Sequence, residues 1–305
     1  MTMKEIKQNS LGAWVLAARP KTLTAALIPV LLGSALAFSD GKFQEVPALL
    51  CALFACGMQV AANFINDLYD YYKGADREDR LGPERACAQG WITPQGMKTG
   101  IGVMLTLSSL AGLGVLYHLW DELPHGGWEL VLLGVLCILF AFLYTTRLSY
   151  SGWGDVLVLV FFGLVPVGGT YYVQTYTLSA DVWILALVCG LAIDALLILN
   201  NYRDREQDAI SGKKTLVVRF GEKFGRMSYL GTGLVACLLC LLLVANGSIT
   251  PLEFIWAPGT YLCMHSLTWW KMNQIRSGQK LNSILGETSR NMLFFGLLLS
   301  IALAN

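Results

Sequence analysis

From Asn63 to Asp76 the chain reads NFINDLYDYYKGAD, and from Asn200 to Thr215 it reads NNYRDREQDAISGKKT. Each stretch closes an apolar run. Asn63, Asn66, Asp70 and Gly74 of the first recur as Asn201, Asp204, Asp208 and Gly212 of the second, every pair offset by 138 residues. Asp67 adds a further carboxylate to the first copy. Polar positions at three- and four-residue spacing share one helix face, and a glycine just past the last turn is the usual helix stop. The spacing predicts two apolar helices that each end in an acidic face and a glycine. Simple solvation of a helix end needs no repeated spacing. Polar groups such as Asn63 and Asn201, set further back into the apolar runs, are costly in lipid and usually functional.

Working outward, the 305 residues are 55% hydrophobic and 14% charged, with a mean hydropathy of +0.53. Soluble chains carry about 25% charged residues, so lipid is the expected solvent. Apolar runs near the length of about 20 residues that crosses a bilayer fall at 22–38, 47–65, 98–118, 128–144, 156–176, 182–200, 228–246, 251–270 and 291–304. The first begins before Pro20, the last is short, and 251–270 is the weakest, with Pro258, Gly259 and His265 inside it. With the N-terminus in the cytoplasm, all of the 22 Lys and Arg residues except Lys42 lie on or at the edge of the cytoplasmic side. So one-sided a positive-inside bias supports both the count and the orientation. The expected fold is an all-α integral membrane protein of about nine transmembrane helices in one bundle. Residues 1–305 form a single transmembrane domain with pseudo-repeats roughly 1–150 and 151–305, and both Asp-rich helix ends face the cytoplasm.

The net charge of +1 gives no signature of nucleic acid. Lys4, Lys7, Arg19 and Lys21 hold the first apolar segment as an anchor rather than a cleaved leader. Of eight cysteines, seven sit in apolar runs, and Cys237 and Cys240 read as small hydrophobes in a helix because no second ligand pair accompanies them. Trp256 and the Trp269–Trp270 pair read as interfacial anchors.

Two facing acidic helix ends offer hard oxygen ligands with no Cys or His beside them, which suits Mg2+ rather than zinc. Around them lie basic candidates for phosphate oxygens: Lys73, Arg77, Arg85, Arg203, Lys213, Lys214 and Arg219. A metal-bound diphosphate is a good leaving group. In a cavity shielded from water, an allylic diphosphate can alkylate an electron-rich acceptor.

At these residues the chain resembles the UbiA-type intramembrane prenyltransferase superfamily, whose members are nine-helix membrane proteins with NDxxDxxxD and DxxxD motifs. Asn66, Asp67 and Asp70 match the first motif, while Gly74 stands where many members have Asp and Asp76 follows two residues later. Asp204 and Asp208 match the second motif, followed by Gly212, Lys213, Lys214 and Thr215. Arg19-Pro20-Lys21-Thr22, Gly154-Asp155 and Asn200-Asn201 bring the chain closest to the branch that prenylates 1,4-dihydroxy-2-naphthoate in menaquinone biosynthesis.

The resemblance implies that Asn66, Asp67, Asp70, Asp204 and Asp208 hold Mg2+ and, through it, the diphosphate of a polyprenyl diphosphate. It implies that Asn63 and Asn201 orient ligands, and that Arg85, Lys213 and Lys214, with Lys73 and Arg203, meet phosphate oxygens. Arg19 and Lys21 would meet the diphosphate or the naphthoate carboxylate. Asp155 would assist deprotonation of the aromatic acceptor or pair with a nearby arginine. Asp194, ten residues before Asp204, should face the interior and pair with a polar neighbour. His265 should pack in the bundle with one hydrogen bond. Other readings of the same residues are a prenyltransferase for 4-hydroxybenzoate or a chlorin, and a cation-coupled transporter. The cytoplasmic-rim position of the carboxylates argues against transport, whose sites lie near the midplane.

Overall fold

A computed structural model describes residues 6–74 and 80–305. Asp76 and Arg77 lie outside the described residues. Within them run nine long helical segments: α1 (Leu11–Ser39), α2 (Glu45–Lys73), α3 (Pro94–Leu119), α4 (Trp128–Ser151), α5 (Gly154–Thr175), α6 (Ala180–Ile210), α7 (Leu216–Ala245), α8 (251–275) and α9 (Leu281–Ala304).

Seven of the nine, α1 to α7, are long and apolar enough to cross a membrane. The two that fall short are those with the weakest apolar runs, and their polar residues face inward. His265 of α8 hydrogen-bonds the Tyr229 carbonyl at 2.8 Å and stacks on the Tyr229 ring. Tyr229 in turn bonds Thr288 of α9 at 2.8 Å, and the Asn291 amide donates to Thr268 at 2.9 Å. Buried polar groups satisfied in this way cost little, so a hydropathy sum understates how well these two helices fit a bundle.

Local chemistry fixes the helix ends. Ser10 caps the start of α1, whose first part stops at Arg19 in the left-handed region (φ 51) before the chain turns through 20–22 and runs on to Ser39. Gly74 ends α2 at φ 62, and Gly212 follows α6 at φ 77, as the two glycines predict. At 29 and 31 residues, α2 and α6 are about 44 and 46 Å long. Both exceed a hydrocarbon core of about 30 Å. A kink at Gly221 (φ 87) splits α7, setting a short turn from Leu216 across the motif end before the long helix descends.

The main core joins α1, α5, α6, α7, α8 and α9 around Leu185, Val188 and Cys189 of α6. A second cluster packs α2 against the loop at Ala86 and Ile92 and against α3. Cys237 and Cys240 are buried and free, as small hydrophobes. Trp270 is exposed, but Trp269 donates its indole N–H to the Arg226 carbonyl at 2.9 Å, and Trp256 packs on the main core. Both of these rings are half-buried. In contrast to α6, the Trp128–Leu143 part of α4 contains no fully buried residue. Its inner side meets α5 through the Phe140–Phe161 pair at 5.1 Å. Wide π turns interrupt α4 at Tyr144–Leu148, α5 at Leu159–Leu164 and α8 at Ile255–Gly259. Such turns frequently mark functional sites.

Candidate active site

The ends of α2 and α6 converge. Asp70 of the first motif is buried and lies within the electrostatic reach of Lys213, Arg80, Arg19 and Lys73. Asp208 of the second motif is buried and pairs with Lys213 at 3.4 Å. Lys213 thus sits between the two acids. Burial disfavours its ammonium, but Asp208 and Asp70 outweigh that and raise its pKa above the ordinary lysine value. The Tyr144 hydroxyl of α4 lies in the field of Asp155, Asp194, Asp70 and Asp208, acids of α5, α6 and α2.

Two motif acids have arginine companions, and Asp208 has Lys213. Arg85 meets Asp70 at 2.9 Å with both side chains buried. Arg203 grips the adjacent Asp204 with two bonds, at 2.7 and 2.6 Å. Its third contact, to Asn282 of α9 at 2.8 Å, leads to the Leu81 carbonyl through the Asn282 amide, also at 2.8 Å. The 80–92 loop is thereby tied to both motif helices.

Asp67 anchors that loop. Its two oxygens accept the backbone N–H groups of Ala86 and Cys87 at 2.9 and 2.8 Å, and only 1% of the residue is exposed. Hydrogen bonds to an ionised carboxylate are among the strong ones. The carboxylate expected to face a metal is committed here to the loop that delivers Arg85. Asn66 instead meets the Thr145 hydroxyl of α4.

The rest of the expected set divides. Lys73 donates to the carbonyls of Thr145 and Thr146 at 3.3 and 3.0 Å and lies 3.9 Å from the Tyr150 ring centroid. Lys213 reaches the same ring at 5.3 Å, so one aromatic ring serves a lysine from each motif. Asn201 and Asp155 line a small cleft with Tyr144, Leu197 and Thr215. Asn63 points elsewhere: its amide donates to the Ala18 carbonyl and the Thr22 hydroxyl, each at 2.9 Å, pinning the break in α1 at Arg19. Lys21 and Lys214 are exposed. Asp194 is buried, but its Oδ1 has no hydrogen-bond partner among the described residues, against the expected polar pairing. The residues missed from sequence are Tyr144, Thr145, Tyr150 and Asn282. The first three belong to a polar run at the end of α4, which was the only signal available for them.

The donors at this end are carboxylate and amide oxygens, which suit a hard cation such as Mg2+. Among the described residues no three acids, histidines or cysteines are gathered closely enough to hold an ion as they stand. The acids are turned to their basic companions instead. Beside the site an apolar cleft of about 370 Å3 opens between α2, α3 and α4, bounded by Leu68, Ile101 and Phe142 with Lys98 at its edge.

Fold and site define a polytopic membrane protein that gathers paired acids and bases at one end of its bundle. Comparison with known proteins gives the family. The UbiA prenyltransferase family model matches residues 26–299. The chain is 36% identical over 313 residues to a 1,4-dihydroxy-2-naphthoate octaprenyltransferase of Haemophilus influenzae, covering 99% of both. It is 39% identical over 246 residues to the protein of that description from Escherichia coli, covering 80% of this chain and 79% of the other. A solved UbiA homolog from Archaeoglobus fulgidus bound to GPP and Mg2+ shares the fold at a TM-score of 0.66 and 15% identity, covering 96% and 100% of the two chains. The chain belongs to the UbiA prenyltransferase family.

Proposed function

We propose that this prenyltransferase moves a polyprenyl group from polyprenyl diphosphate to 1,4-dihydroxy-2-naphthoate, releasing diphosphate and carbon dioxide and giving demethylmenaquinone. The names of the two bacterial relatives support the acceptor. The observation that carries the reaction is Lys213, which pairs with Asp208 at 3.4 Å and lies in the field of Asp70 from the opposite half of the sequence. The chain works as a single membrane domain with this site on the cytoplasmic face of a bacterial inner membrane. The basic loops beside both motifs support that orientation.

Asn66, Asp70, Asp204 and Asp208 would hold Mg2+, with Asp67 serving the loop. The metal would supply neutralisation of the negative charge that grows on the departing diphosphate. Each acid is already partnered by a base, so an acid that turns to a cation frees its companion. Arg85, Arg203 and Lys213 then have donors for the phosphate oxygens, with Lys73 close by. Tyr144 lines the small cleft with Asn201 and Asp155, and its ring would favour positive charge developing on a prenyl group placed against it. The cleft bounded by Leu68 and Phe142 gives the prenyl chain an apolar lining.

The test is competition in one vessel. Purified protein receives farnesyl diphosphate, Mg2+, 1,4-dihydroxy-2-naphthoate and 4-hydroxybenzoate, and products are weighed by mass spectrometry. The expected product is a decarboxylated, prenylated naphthoquinol. Prenylated hydroxybenzoate as the main product would overturn the acceptor.

A further inference from the structure

Asp194 has no place in the ion-paired cluster of the two motifs. It lies on α6 seven residues before Asn201 and three before Leu197, on the helix face that lines the small cleft with Tyr144 and Asp155. The residue is 4% exposed, and its Oδ1 has no hydrogen-bond partner among the described residues. A buried polar atom left in that state calls for an explanation. The surroundings narrow it. Asp155 bears on Asp194 electrostatically, and Tyr144 lies in the field of both. A buried, unpartnered carboxyl oxygen, ten residues deeper along α6 than Asp204, is matched by a hydroxyl donor on a flat ring. The π turn at Tyr144–Leu148 supplies Tyr144 to this cleft, and the π turn at Leu159–Leu164 packs on α6 one turn below Asp194, with Leu159 against Gly190.

We propose that Asp194 binds the ring hydroxyl of the aromatic acceptor and takes its proton during prenyl transfer, an assignment that rests on the prenyltransferase reading. The ring carbon bonds to the prenyl C1 while the C–O bond to diphosphate breaks and its electron pair leaves with the diphosphate. The ring supplies the new bond as its hydroxyl becomes a ketone, and the hydroxyl proton passes to the Asp194 carboxylate. When the attacked carbon bears a carboxylate, that group departs as carbon dioxide. Its bonding pair restores the aromatic ring, and the ketone oxygen recovers the proton from Asp194. The aspartate ends as it began, and no oxidant or further reactant enters.

The experiment compares wild type with Asp194→Asn and Asp194→Thr, each checked for folding by gel filtration in detergent. Steady-state kinetics are run in both substrates. The kcat/KM for 1,4-dihydroxy-2-naphthoate should fall about 100-fold or more, within the range for a lost acid–base group. The KM for farnesyl diphosphate should stay unchanged. A loss of packing alone would move both substrates together, and that outcome overturns the proposal, as does full acceptor efficiency in either folded variant. The 1-O-methyl ether of the naphthoate offers no proton at that position. Wild type should discriminate against it strongly, whereas the variants should turn over ether and phenol alike. Equal use of both by wild type would also overturn the proposal. If wild type instead prenylates 4-hydroxybenzoate, the acceptor reading falls, and the Asp194 comparison runs unchanged on that phenol.

Discussion

The two motif copies share one spacing and differ in their wiring. The second is local: Arg203 grips its neighbour Asp204, and Lys213 reaches back five residues to Asp208. The first is long-range: Asp70 is met by Arg85 from fifteen residues on, and Asp67 holds the backbone of Ala86 and Cys87. The second copy therefore carries its own counter-charges within a helix end and the turn after it. The first copy gains its buried ion pair, Asp70 with Arg85, only when the 80–92 loop is folded over it, although Lys213, Arg19 and its own Lys73 also bear on Asp70. One motif is a standing half of the site, and the other is a half that a loop completes.

The largest effects should be the same in both copies, because both acids serve one diphosphate. Asp70→Ala and Asp208→Ala should each lower turnover about 1,000-fold, the scale of a lost preorganised charge contact, with membrane insertion intact. Chelation of Mg2+ by EDTA should match them in wild type. Activity that survives either substitution, or chelation, would break the shared site.

The next effects should separate the copies. Arg85→Ala strands the buried Asp70, and breaking a buried pair costs about 3–5 kcal/mol, so both the unfolding temperature and activity should fall. Lys213→Ala removes a side chain that is 26% exposed and should cost activity with a smaller loss of stability. Equal melting losses would erase the distinction drawn between local and long-range wiring. Asp67→Asn weakens charge-assisted bonds worth about 1.5–3 kcal/mol each. It should expose the 80–92 loop to limited proteolysis and raise the KM for prenyl diphosphate, while Asp208→Ala leaves the loop protected. An unchanged cleavage pattern in Asp67→Asn would remove the clamp. The smallest effect belongs to Lys21→Ala: the side chain is exposed and outside the described ion pairs, so kcat/KM should match wild type.

The helices and the acidic faces were legible because they rest on period and repetition. The offset of Asp70 and Asp208, and the stops at Gly74 and Gly212, are written in local spacing. What was illegible depends on partners distant in sequence. Asp67 and Asp70 are both acids of one motif, yet Asp67 turns to backbone amides, which leave no mark on side-chain identity. Asn63 bonds the break in α1 beside Arg19, partners more than forty residues away that the motif spacing does not name. Tyr144 lies in the π turn that interrupts α4 and Tyr150 just after it, and the polar run that holds them does not name their partners on other helices. α8 and α9 show the limit of hydropathy: His265 and Asn291 lower the sum while lying buried and bonded.

The most direct test of a single site shared by both copies is the stoichiometry of diphosphate binding. Isothermal titration of geranyl S-thiolodiphosphate with Mg2+ into wild type, Asp70→Ala and Asp208→Ala would read it without turnover. One ligand per chain in wild type and none in either variant is the expected result. Two per chain in wild type, or one remaining in each variant, would contradict the shared site and leave each motif with a site of its own.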